Sequence, residues 1–105
     1  DVCSSDLFSE CLSVMNEGRM GVAVIMQAGE LCGIITDGDI RRTLAKFGAE
    51  SLNKTAEQIM SRSPKTIADS TFLGKAEEMM KALHIHSLVA LDEHGKVSGL
   101  MEFSN

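Results

Sequence analysis

A chain of 105 residues with 44% hydrophobic residues is long enough for a modest compact core and too apolar to remain unfolded. It has no Trp or Tyr and four Phe, so that core must be built from aliphatic side chains and Met. A formal net charge of -5 offers no field for nucleic acid or an anionic bilayer, and no run approaches the roughly 18 apolar residues of a membrane span.

Cys3, Cys11 and Cys32 are odd in number and form no CxxC spacing, which argues against a disulfide framework or a zinc site and for a reducing cytoplasm. In chain order, Leu7, Cys11, Val14 and Met15 recur at helical spacing and predict a helix with one apolar stripe. Gly21-Val-Ala-Val-Ile-Met26 predicts a strand, Gln27-Ala-Gly-Glu30 a turn, and Leu31-Cys-Gly-Ile-Ile35 a second strand. A helix is expected from Asp39 to Phe47, ended by Gly48, and a short capped turn of helix from Thr55 to Met60. Pro64 then precedes an extended stretch within Ser61-Arg-Ser-Pro-Lys-Thr-Ile67. Asp69-Ser70 is expected to cap a helix whose stripe is Phe72, Ala76, Met79, Met80 and Leu83. His84 and His86 alternate with Ile85 where the next strand begins, and Ser87-Leu91, Asp92-Lys96 and Val97-Met101 complete a second strand-turn-strand.

The chain is therefore written twice, with Gly29 matching Gly95 and Gly33 matching Gly99. The helical stripes match at a shift one residue smaller, a difference this reading assigns to the helix-to-strand connection. The first copy's counterpart of the Pro64 stretch is expected at or before residue 1, so the chain reads as a piece of something longer. The fold class is α/β: a repeat at 1-50, incomplete at its start, and a repeat at 51-105 with little or no final helix. Each is a β-α-β-β-α unit whose strands need cover on both faces, so the two are expected to pack with pseudo-two-fold symmetry. Met15, Met79 and Met80 fall on core stripes, leaving Met20 and Met60 as interface candidates.

The segment Gly33-Ile-Ile-Thr-Asp-Gly-Asp-Ile-Arg-Arg42 holds the densest chemistry. Asp37 and Asp39 lack a Ser, Cys or His partner nearby, which disfavours acid-base or nucleophilic catalysis. As a ligand loop it fits better. Gly33 allows close backbone approach, Thr36 offers a hydroxyl, and free amides where a helix starts at Asp39 suit phosphate. The Asp39 carboxylate suits paired sugar hydroxyls, and Arg41 and Arg42 add positive charge. The competing reading is a helix cap preceded by a turn.

Gly33-x-x-Thr36-x-x-Asp39 within a doubled helix-strand-strand pattern resembles the tandem CBS-domain pair, a regulatory module that often binds adenosine nucleotides between its copies. More narrowly, "GIITDGDIRR", "AEQIMSRSPKTI" and "VSGLMEF" resemble the C-terminal half of bacterial arabinose 5-phosphate isomerases. That resemblance implies an absent N-terminal sugar isomerase domain working toward Kdo, and a fragment with no catalytic residues of its own. It further implies a homodimer through the CBS pair, a tetramer in the longer protein, and a cytoplasmic location without nucleic-acid or membrane partners. No cofactor is required. The expected regulatory ligand is an adenosine nucleotide or, by pathway logic, the sugar nucleotide CMP-Kdo.

Carried over, Thr36 would contact phosphate or ribose and Asp39 the ribose hydroxyls. Glu102 and Asn105 stand at the second copy's corresponding positions, which predicts at most one such site per chain. Lys65 and the imidazoles of His84 and His86 are expected to face the phosphate, with a solvated role as the alternative. The His84-x-His86 spacing lacks a third metal ligand, and His94 belongs to a surface turn. Two functions remain open: a ligand-binding regulatory module, and a ligand-free oligomerisation scaffold.

Overall fold

The computed structural model describes residues 2–18 and 21–102. Two compact units divide at the bond between Ser63 and Pro64.

In the first unit, β1 (Val2–Cys3) lies parallel to β2 (Val22–Gln27), β2 is antiparallel to β3 (Glu30–Thr36), and β3 to β4 (Ser61–Arg62). The run Val-Ala-Val-Ile at the start of β2 is buried throughout, as expected of a strand covered on both faces. Gln27 pairs with Glu30 across a two-residue loop, Ala28 and Gly29, both at positive φ as this tight hairpin requires. α1 (Phe8–Gly18) buries Phe8, Cys11 and Met15 against Val2, Ile25 and Ile35. Leu7, expected on that stripe, precedes the helix and is exposed, its backbone bridged to Thr55 instead.

α2 (Asp37–Phe47) starts two residues earlier than the sequence suggests, because Thr36 is already its cap, and Gly48 ends it at φ 55. A 3-10 turn, Gly48–Asn53, leads to α3 (Ala56–Ile59). The boundary of the compact units falls later than the repeat boundary at residue 50. Residues 51–62 are tied to the first unit: Ser51 donates to the Thr43 carbonyl, the Ala56 amide to that of Asp6, and β4 joins β3.

In the second unit, β5 (Thr66–Ala68) is parallel to β6 (Ser87–Leu91), which is antiparallel to β7 (Val97–Glu102). α4 (Leu73–Leu83) buries only Ala76 and Met80, packing on Leu88. Asp69 and Ser70 do not cap it; they form a turn, and the N-cap is Phe72, without a side-chain bond. Phe72 is 86% exposed and Leu83 43%, so the expected five-residue stripe is buried only at its centre.

Two details of the repeat differ from the sequence reading. A first-copy counterpart of β5 is present, as β1 at residues 2 and 3. The one-residue difference also lies elsewhere. Phe8 to Gly18 corresponds to Leu73 to Leu83, and the partner of Gly33, Ile25, to the partner of Gly99, Ala90, at one shift. The extra residue therefore sits in the hairpin turn of the second unit, where the Asp92 carboxylate accepts from the amides of His94 and Lys96 to close a longer loop. Met20 and Asn105 lie outside the described residues.

Candidate functional site at the start of α2

β3 delivers Thr36 in an extended conformation, φ -109 and ψ 168, directly onto the first turn of α2. Its hydroxyl accepts from the Asp39 amide at 3.2 Å, and the Asp39 carboxylate accepts from the Thr36 amide at 2.9 Å. This reciprocal capping box satisfies two of the donors a helix start leaves open. The Asp37 amide is also taken, by the Gly21 carbonyl at 3.0 Å. The free amides expected to face a phosphate are therefore largely engaged within the protein.

Asp39 is only 5% exposed, yet its carboxylate is fully partnered. Oδ1 accepts from Arg42 Nη2 at 2.6 Å and from Ser61 Oγ at 3.0 Å, while Oδ2 accepts from the Thr36 amide and hydroxyl. Arg42 is anchored by this bond but is itself 71% exposed, a geometry that leaves its guanidinium able to turn outward. Ser61 was not singled out from the sequence: it lies 22 residues from Asp39 and reaches it only because β4 pairs with β3.

Gly33 is buried, and its close approach is to the protein itself rather than to open space. A Cβ there would stand 2.6 Å from the Ser61 carbonyl oxygen and 2.8 Å from Met60 Sδ. Met60 thus closes over the first core instead of lying on a free surface. Asp37 and Arg41 flank the turn as exposed side chains.

Lys65, His84 and His86 belong to the second unit and are exposed. The Lys65 carbonyl accepts from the Val89 amide at 3.1 Å, which fixes its backbone beside β6. His84 is the left-handed C-cap of α4, and His86 precedes β6, so the two flank a half-buried Ile85. Glu102, at the end of β7, is exposed. A depression of about 370 Å³ in this unit is lined by Ala68, Asp69, Ser70, Leu91, Asp92 and Glu93; three carboxylates make it hostile to an anion. Among the described residues no cluster of metal ligands is found and no helix is long and apolar enough to cross a membrane. The Cys11 thiol is pushed up to about 11 by burial and, secondarily, by Asp6 and Glu10, making it a core residue rather than a nucleophile.

The chemistry assembled around Asp39 is a carboxylate with two acceptor oxygens, two hydroxyls and a guanidinium, which suits hydroxyl-bearing and phosphate-bearing groups together. Comparison with known proteins gives this arrangement its context. The chain is 59% identical over 98 residues to the "Probable arabinose 5-phosphate isomerase" of Haemophilus influenzae, and 36% identical over 95 residues to "Arabinose 5-phosphate isomerase KpsF" of Escherichia coli. These alignments take in 93% and 90% of the chain but 29% of each relative, so the chain spans under a third of their length. A CBS domain protein from Pyrobaculum aerophilum, solved in complex with AMP, has the same fold, with a TM-score of 0.82 and 23% identity over 96% of this chain and 79% of that one. The CBS-domain family matches residues 2–46 and again residues 56–101, so the chain belongs to that family and carries its domain twice.

Proposed function

We propose that these residues form the regulatory ligand-binding module of a larger cytoplasmic sugar-phosphate isomerase, and that a nucleotide or sugar nucleotide binds at the Thr36–Asp39 turn. The observation that carries the proposal is the buried Asp39 carboxylate, held by the capping box through Oδ2 while Oδ1 meets two side chains that can move aside. Ser61 and Arg42 are exposed side chains that meet at Oδ1, with Ser61 also 3.2 Å from Oδ2, and a ribose offering two adjacent hydroxyls would take the two places they hold on Oδ1 and the one Ser61 shares on Oδ2. Arg42, once released, and Arg41 beside it would supply charge for the phosphate, with Thr36 donating its hydroxyl. Lys65, His84 and His86 are proposed as ligand contacts of the second unit taken by itself. AMP in the Pyrobaculum protein and the isomerase relatives support the two halves of the reading, ligand class and parent enzyme. Candidate ligands are an adenosine nucleotide and CMP-Kdo. Regulation requires that the ligand bind one state of the parent enzyme more tightly than another. Catalysis is assigned to the proposed isomerase domain and not to these residues.

The test is a thermal titration with AMP, ATP, CMP and CMP-Kdo. At a hundredfold its Kd, a ligand adds roughly 2.7 kcal/mol, a clear rise in midpoint for a unit of this size. Such a rise, lost in Asp39→Asn, supports the proposal; flat curves for all four remove it.

A second reading rests on a specific observation too. Asp39 is already satisfied as a capping residue, and Phe72 and Leu73 are exposed apolar side chains at the start of α4. Under that reading the module is a scaffold that dimerises through its helices and holds a tetrameric enzyme together. Size measurement of the 105-residue chain and its Phe72→Asp variant tests the scaffold: a dimer lost in the variant, together with flat thermal titrations, supports it, and a monomer removes it.

A further inference from the structure

Arg42 is folded back over the start of α2. It leaves the second turn of the helix, yet its Nη2 donates to Asp39 Oδ1 in the first turn at 2.6 Å. A helix start carries partial positive charge and disfavours a guanidinium, so the Asp39 carboxylate is what holds it there. Gly38 makes the room. Its backbone is not in the left-handed region, so conformational freedom does not account for a glycine within a helix, where alanine is the more stabilising residue. Space does: a Cβ at Gly38 would stand 3.2 Å from Arg42 Nη1 and 3.5 Å from Thr36 Oγ1. Without one, the guanidinium lies against the first turn beside the capping hydroxyl.

The two ends of this ion pair differ in freedom. Asp39 is 5% exposed and the Arg42 side chain 71%, so Arg42 can swing into water on its own stem while the carboxylate stays in place. A ribose reaches Oδ1 only when Arg42 and the neutral Ser61 give way. A nucleoside then replaces a charge-assisted bond by neutral hydroxyl bonds and leaves the guanidinium with water alone. A nucleotide brings its own anion. Arg42 turns from carboxylate to phosphate, keeps a charged partner, and meets the phosphate oxygens with its fork of N–H donors. We infer that Arg42, seated on Gly38, is a gate that makes this site select a phosphorylated ribose over the nucleoside with the same base. Asp39 is the ribose contact in this scheme and Arg42 the specificity-determining residue. The gate rests on the reading of the Thr36–Asp39 turn as a nucleotide site.

The test is a calorimetric titration of the full-length protein, unmodified and as Arg42→Met, with adenosine, AMP, cytidine, CMP and CMP-Kdo. Methionine keeps an unbranched stem and removes every donor. In the variant, nucleotide binding is expected to weaken at least fivefold. Nucleoside binding is expected to tighten about two- to fivefold, the range that release of an exposed ion pair supplies. Opposite shifts from one substitution mark a gate: a plain phosphate contact weakens the nucleotide alone, and a structural role moves both the same way. Nucleosides that bind Arg42→Met no tighter than the unmodified protein, undetected in both included, overturn the gate; nucleotide binding in the same experiment then leaves the ligand reading in place. No binding by any of the five removes that reading, and the gate with it. If Arg42→Met fails to fold, Gly38→Ala decides, because its Cβ crowds the folded-back guanidinium and leaves the charge. Tighter nucleoside binding there supports the gate, and unchanged or weaker binding overturns it.

Discussion

Replacing Asp39 by alanine separates a capping carboxylate from an idle one. In the structure the substitution leaves the Thr36 amide, at a half-buried position, without its 2.9 Å acceptor, and leaves Ser61 Oγ without either of its contacts. A buried donor left unpaired costs about 1–3 kcal/mol. The Arg42 contact adds little, because its side chain is 71% exposed and water replaces the lost partner. The expected loss is therefore about 2 kcal/mol, and for Asp39→Asn, which keeps an acceptor for Thr36, about half of that. With no Trp or Tyr in the chain, the first unit is best followed through Cys11, fully buried in its core, by thiol labelling across a urea series in a Cys3→Ser, Cys32→Ser background. Ser61→Ala combined with Asp39→Ala should show a coupling of roughly 0.5–1 kcal/mol. A loss below about 0.5 kcal/mol for Asp39→Ala, or strict additivity with Ser61→Ala, would refute the reasoning, because exposed uncoupled sites behave that way.

Three further outcomes are expected. Met80→Ala empties a fully buried position in the small second core and should cost about 2–5 kcal/mol, whereas Phe72→Ala, at an exposed position, should change stability by less than about 0.5 kcal/mol; chemical denaturation of both checks the contrast. At pH 8 the exposed Cys3 should react with a thiol reagent far faster than Cys11, whose thiol stays protonated to about pH 11, and equal rates would contradict the described core. Because the folded state holds the Cys11 proton more tightly than the unfolded state, its contribution to stability is full below pH 9 and falls as pH rises from 9 toward 11; Cys11→Ala should flatten that part of the stability profile.

The doubled pattern, the two hairpins and the Thr36-x-x-Asp39 motif were all legible in the sequence, because each is set by local rules: strand propensity, positive-φ turn residues and a capping box three residues long. The matching glycines were legible for the same reason. Tertiary structure decided which atoms meet. Ser61 joins Asp39 only through the β3–β4 pairing, and Gly33 faces Met60 and Ser61 rather than a ligand, because a strand from the second repeat's lead-in crosses over it. The burial of the stripes also depended on length of cover. Leu7, Phe72 and Leu83 share the helical period of Cys11, Ala76 and Met80, but Leu7 lies before α1 begins and the cover over α4 reaches only its centre, and periodicity alone carries no information about where the opposing surface ends.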